Sequence, residues 1–202
     1  MYIVFLAGGI ASGKSSVARA LEDLGCTRID LDALSREVLE PGMPCTHALA
    51  DAFGADSLDA GTGRLNRALL AEGAFASASS TELLEAIELP YIRELRLERL
   101  DALAPQEGVA VVEVPLLDRV GDLLDAADEV VYVHAPREIR RVRAIGRGMH
   151  GEDFDARDAR QPSEDYLFSH ADTILDNSGT PGELADAVLR WWKSRAQHVP
   201  SC

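Results

Sequence analysis

Short apolar runs alternate with longer amphipathic stretches along this chain. Tyr2–Ala7 (YIVFLA) is a six-residue apolar run that stops at Gly8-Gly9, the length and boundary of a strand buried on both faces. Ser15–Leu24 carries Val17, Leu21 and Leu24 at helical spacing and ends at Gly25, a helix-stop residue. Arg28–Leu31, Val109–Val114 and Glu129–His134 read as further strands, the last two halted by Pro115 and Pro136. Thr173–Leu175 is a short fifth strand, followed by the turn residues Asp176-Asn177-Ser178-Gly179. Between the strands lie helical patterns. One long helix is predicted over Ser80–Leu103, with a break or kink at Pro90, and a last one over Glu183–Arg195. Gly146–Phe154 is glycine-rich and lacks apolar periodicity, so a mobile loop is predicted there; Pro41–Cys45 is predicted as a turn. Strands alternating with helices imply an α/β fold with a parallel sheet.

Composition narrows the setting. The 202 residues are 47% hydrophobic and 27% charged, ordinary for a soluble globular chain. No apolar run reaches the roughly 18 residues of a membrane helix, and the apolar start has no basic flank or cleavage-like site. Cys26, Cys45 and Cys202 match no zinc or redox spacing, so free thiols and a cytoplasmic location are expected. The formal net charge of −14 argues against nucleic acid or an anionic membrane as partner. A chain so acidic must gather its positive charge locally to bind a polyanion. Only Lys14 and Lys193 are lysines, and seven arginines fall between Arg137 and Arg160. The five histidines have no metal-ligand spacing.

Lys14 belongs to a motif. Gly8-Gly9-Ile10-Ala11-Ser12-Gly13-Lys14-Ser15 matches G-x-x-x-x-G-K-[ST] between a predicted strand and a predicted helix. Glycines let the backbone approach phosphates, and successive N–H groups form an anion-binding nest at the helix N-terminus. Lys14 is expected to reach the β- and γ-phosphates of a nucleoside triphosphate, and Ser15 to offer its hydroxyl to Mg²⁺. The motif alone leaves a kinase, a GTPase switch and a motor open.

The remaining motifs resemble the dephospho-CoA kinase family, in the family's order over roughly residues 1 to 190. After the GGIxSGKS loop come Asp30-Leu31-Asp32, Ala33 and Arg36, Pro41-Gly42, Phe53-Gly54, Gly63, Arg67 and Leu69-Leu70. Val114-Pro115-Leu116-Leu117, Arg157, Gln161-Pro162 and Asn177-Ser178-Gly179 follow. The chain departs from the family at Ala11 and Ser16, usually glycine and threonine, and at Leu89, usually histidine. Asp118-Arg119 stands where an aromatic–glutamate pair is usual, and Arg140 where glutamine is usual. The resemblance implies a P-loop kinase fold, a parallel five-stranded sheet flanked by helices. It implies a core of about 1–31, 104–135 and 162–202, a helical acceptor-binding region of about 32–103 and a lid of about 136–161.

It also implies the reaction: ATP phosphorylates the ribose 3′-hydroxyl of dephospho-CoA to give CoA. Asp32, just past the second strand, is expected to be the general base; the alternative is a helix N-cap. Arg143 and Arg147 of the lid are expected to stabilise the transferring phosphate, with Arg140 a third candidate; the alternative is a solvated helix face pairing with Glu138, Glu152 and Asp153. Gly8, Gly9, Ile10, Ala11, Ser12, Gly13, Lys14, Ser15, Ser16 and Asn177 are the expected ATP-binding residues. Asp32, Arg36, Arg67, Pro90 and Leu116 are the expected acceptor-binding ones. Glu113 is either a Walker-B-like group holding Mg²⁺ through water or a buried, hydrogen-bonded carboxylate. A monomer is expected. Two rivals stand beside this reading: another small-molecule P-loop kinase of nucleoside, nucleotide or shikimate type, and a catalytically dead nucleotide-binding relative.

Overall fold

The computed structural model describes residues 1–59, 61–74, 76–103 and 105–195, with only the backbone of residues 67 and 78. Cys202 and His198 lie outside the described residues. Two compact units divide the chain, one of residues 1–31 and 102–202, the other of residues 32–101.

The first unit is built on a sheet of five strands among the described residues: β1 (Tyr2–Ala7), β2 (Thr27–Asp30), β3 (Val109–Glu113), β4 (Glu129–His134) and β5 (Thr173–Asp176). Their order is β2-β3-β1-β4-β5 and all pairs are parallel. β1, and β3 up to its terminal Glu113, are apolar because both faces are covered. Helix α1 (Lys14–Asp23) packs Val17 and Leu21 onto Val4, Leu6, Val109 and Val111, and the C-terminal helix (Pro181–Ser194) adds Leu184, Val188 and Trp191 to the same cluster. That last helix starts at a capping box, in which Thr180 and Glu183 satisfy each other's backbone N–H groups. At the opposite, N-terminal end of β4, the buried Glu129 carboxylate accepts from Tyr2 Oη (3.1 Å), Thr173 Oγ1 (2.7 Å), Trp191 Nε1 (3.0 Å) and the Arg195 guanidinium, so four elements are tied at one point.

The second unit is helical: α2 (Leu31–Glu37, whose first residue belongs to the sheet unit), α3 (Pro44–Phe53), α4 (Arg67–Ala74) and α5 (Ala78–Asp101). The predicted turn at Pro41–Cys45 is shorter than expected, because Pro44 opens α3, where a missing N–H costs nothing. The break predicted at Pro90 does not occur: α5 runs through it as one 24-residue helix. Proline inside a helix costs about 3 kcal/mol. The buried Ile92, Leu95 and Leu100 on a helix packed against α3 and α4 offset that cost.

The mobile loop predicted over Gly146–Phe154 is also corrected. α6 (Arg137–Gly146) ends in a turn at Arg147-Gly148, and α7 (Gly151–Asp158) begins only three residues later. Glu152 and Asp153 in its first turn complement the helix dipole, and Phe154, fully buried, anchors it. The segment lacked periodicity because α7 is held by that single apolar side chain and by ion pairs. α8 (Glu164–His170) and then α9, the C-terminal helix just described, complete the unit.

Candidate active site

The loop between β1 and α1 is held from below. Gly13 stands at the N-cap of α1 with φ +103°, and a Cβ there would collide with the Asn177 amide. Asn177 follows β5, extends the ladder through its N–H to His134 O (2.7 Å) and donates Nδ2 to Ser12 O at 2.7 Å. Ser12 and Asn177 are both buried. Asn177, expected beside the nucleotide, is therefore also a strut fixing the loop's backbone. Ala11 takes a left-handed φ of +59°, so the family's usual glycine is replaced at a position where a side chain is strained. Lys14 Nζ donates to the carbonyls of Gly8 and Gly9, and α1 has no acid in its first turn to oppose an anion.

Two cavities meet at this loop. One, of about 300 Å³, is lined by Gly9 and the stretch from Ala11 to Ser16 together with Arg19 and Arg147. The other, of about 310 Å³, shares Gly13, Ser16 and Arg147 with it and adds Val17, Ala20, Leu184 and Val188, with Arg143 and Asn177 at its polar edge. A polar, cationic chamber thus lies beside a more apolar one. Arg143 carries a buried Nη1 with no hydrogen-bond partner among the described residues, a donor a ligand acceptor would satisfy.

The arginine run is divided in two. Arg143 and Arg147 line the cavities. Arg137, Arg140 and Arg141 are bound to α7, with Arg137 Nη2 2.6 Å from Asp155 and Nε 2.9 Å from Asp158. Arg141 Nε lies 3.3 Å from Asp155. The pairing acids are Asp155, Asp158 and, 3.9 Å from Arg140, Glu164; Glu138, Glu152 and Asp153, the partners in the alternative reading, are not among them. Arg140 is buried, pairs with Asp158, donates to Ala135 O (3.0 Å), and lies where a Cβ at Gly9 would stand. It buttresses the loop from the α6–α7 side.

Glu113, the last residue of β3, is buried. Its Oε2 accepts from Ser15 Oγ at 2.9 Å, while Oε1 receives Arg28 Nε at 2.8 Å. The serine hydroxyl and the carboxylate are hard oxygen donors of the kind Mg²⁺ takes, so the residues fit that ion. Of the two readings of Glu113, the buried, hydrogen-bonded carboxylate is the one seen here. Leu116, half-buried, follows two residues after Val114, and Leu117 is buried.

In the second unit Asp32 is exposed and lies two residues beyond the end of β2. Leu31 already opens α2, so Asp32 sits inside the first turn and not at the N-cap. Arg96 of α5 donates to Ser35 Oγ at 2.9 Å. Burial pulls the Arg96 guanidinium below its ordinary range, and the Asp32 charge pulls it the other way; the two groups lie within electrostatic reach. Sequence reasoning missed Arg96. Arg36 is exposed in the last turn of α2. Pro90 and Leu89 line a groove of about 950 Å³ along α5 together with Arg93. Arg67 opens α4, and its side chain lies outside the described residues.

Comparison with known proteins places this geometry. The family model described as dephospho-CoA kinase (CoaE) matches residues 2–183. A dephospho-CoA kinase of Corynebacterium jeikeium is 42% identical over 195 residues, 95% of this chain and 98% of that one. One of Thermobifida fusca is 41% identical over the whole of both chains. Among solved structures, TT1252 from Thermus thermophilus superposes with a TM-score of 0.76 at 29% identity, covering 96% of this chain and 97% of that one. A shikimate kinase of Bacteroides thetaiotaomicron, at 15% identity and a TM-score of 0.51 over 96% of this chain and 98% of its own, shares the fold. With a phosphate loop, a parallel sheet in this order and relatives of this identity along its whole length, the chain belongs to the dephospho-CoA kinase family.

Proposed function

We propose that this chain transfers the γ-phosphate of ATP to the ribose 3′-hydroxyl of dephospho-CoA, the last step of coenzyme A biosynthesis. The observation that carries the reading is the pair of neighbouring cavities that share Gly13, Ser16 and Arg147. The cationic chamber at Lys14, Ser15 and Arg147 suits a triphosphate, and the adjoining apolar chamber between α1 and α9 suits a purine. Loop N–H groups and Lys14 bind and orient the phosphates. Arg143 and Arg147 stabilise the charge that spreads over the transferring oxygens. Ser15 and Glu113 would hold magnesium, which would supply positive charge against the negative charge developing on the phosphates. Asp32 takes the proton of the attacking 3′-hydroxyl.

The helical unit receives the acceptor through Asp32, Arg36, Arg67 and Pro90; Leu116, of the sheet unit, is also an acceptor-binding residue, and residues 136–161 act as the lid that excludes water, a competing acceptor. Among the described residues no helix is long and apolar enough to cross a membrane; we place the enzyme in the cytoplasm, as a monomer whose substrates are ATP and dephospho-CoA. The test is an acceptor panel of dephospho-CoA, shikimate, adenosine and AMP with ATP and Mg²⁺. Dephospho-CoA alone is expected to give turnover. Preference for another acceptor would reject the reading.

A further inference from the structure

Arg28 is absorbed by nothing above, and its placement is specific. It lies on β2, where its partner across the strand pair is Val111, and Glu113 is the partner of Asp30. Arg28 and Glu113 are therefore diagonal neighbours on one face, a spacing a long side chain spans. Two of its nitrogens, Nε at 2.8 Å and Nη2 at 2.5 Å, converge on the single oxygen Oε1 of Glu113. The other oxygen is left to Ser15. Nη1 lies 3.6 Å from Glu22 of α1.

Chemically, a guanidinium here occupies the role a metal ion would otherwise play. It compensates a buried carboxylate and fixes which oxygen turns towards Ser15. A carboxylate already neutralised attracts a second cation weakly, so a divalent ion gains most when it arrives with its own anions, the nucleotide phosphates. We propose that Arg28 is a positioning residue, the built-in cation of the metal side of this site: it locks Glu113 with one oxygen presented to Ser15 and makes metal binding depend on nucleotide. This rests on the reading that Ser15 and Glu113 face the magnesium of MgATP.

The experiment is Mn²⁺ titration of the full chain, with free Mn²⁺ read by electron paramagnetic resonance, with and without ADP and against an ADP-only blank. The wild-type protein is expected to bind Mn²⁺ weakly alone and tightly with ADP. Arg28→Met, similar in length but uncharged, is expected to tighten nucleotide-free binding about tenfold or more. Its binding with ADP is expected to change less than about threefold. Arg28→Lys, which keeps the charge, stays near wild type, and Arg28→Met with Glu113→Gln loses the gain. Arg28→Gln replaces the methionine variant if circular dichroism shows that one unfolded; the Arg28 side chain is 24% exposed, so a shorter polar group is accommodated. Unchanged or weaker nucleotide-free binding in the uncharged variant, with normal ADP-dependent binding in wild type, overturns the proposal. If Glu113→Gln leaves wild-type Mn²⁺–ADP binding unchanged, the reading beneath it falls instead.

Discussion

Replacing Asn177 tests whether the loop's shape depends on the turn after β5. Asn177→Ala removes the 2.7 Å hydrogen bond to Ser12 O, and Ser12 is wholly buried, so its carbonyl is left without water to replace the amide. A buried acceptor left unsatisfied costs about 1–3 kcal/mol. For a chain of this size each kcal/mol lowers Tm by about 2–4 °C, so a drop of about 2–12 °C follows. The same loss loosens the peptide groups that meet phosphate. A binding-competent loop populated about a tenth as often raises the apparent Kd for ATP about tenfold. Asn177→Asp separates this account from a plain turn. Asp and Asn serve comparably in turns, but here a carboxylate would face the Ser12 carbonyl with nothing to donate. Thermal melts and the KM for ATP are measured for both variants, with kcat expected to change less than KM. Wild-type Tm and KM in Asn177→Asp would refute the strut.

Asp32→Asn is expected to lower kcat about 10²–10⁴-fold with ATP affinity nearly intact; steady-state kinetics paired with calorimetric ATP binding read both, and unchanged kcat removes Asp32 as base. Ala11→Gly relieves a left-handed φ of +59°, worth about 1–2 kcal/mol, less about 0.5–1 kcal/mol for glycine's extra unfolded freedom. A small rise in the urea midpoint is expected, and a fall would contradict the strain. Glu129 titrates below the usual glutamate range: burial pushes it up, but hydrogen bonds from Arg195, Thr173 and Trp191 and the Arg195 charge outweigh that. A carboxylate with a lowered folded-state pKa stabilises fully above its unfolded value, above about pH 5, and loses that contribution as pH falls through the folded value. Glu129→Gln should therefore cost about 2–4 kcal/mol near neutrality and flatten the acid side of a urea-midpoint profile from pH 7 to 3; a parallel profile would reject this.

What was legible in the sequence follows physical lines. β1 was legible because a strand of a parallel sheet covered on both faces writes itself as an unbroken apolar run, here Tyr2–Ala7. The phosphate loop was legible because its backbone demands fix residue types at fixed spacing. α7 was not, because one buried Phe154 and ion pairs to the preceding helix leave no periodicity. The continuity of α5 through Pro90 was hidden for a related reason: tertiary packing overrode a local penalty that sequence reading weighs alone. Arg28 stayed unseen because its meaning is a cross-strand diagonal. The one local signal was a charged residue on a short strand, two positions before Asp30 and so on the same face. Asn177 looked like turn chemistry, and only the approach of β5 to the loop gives it a second task. The split of Arg137, Arg140 and Arg141 from Arg143 and Arg147 likewise needed coordinates, since all five share one short stretch of sequence.

The central claim is transfer of phosphate to one hydroxyl of one acceptor. The most direct test incubates the protein with ATP, Mg²⁺ and dephospho-CoA, follows ADP release, and locates the new phosphate by ³¹P and ¹H nuclear magnetic resonance. ADP formed one-for-one with coenzyme A bearing phosphate on the ribose 3′-oxygen is the expected result. ADP release independent of dephospho-CoA, or phosphate on any other oxygen, would contradict the account.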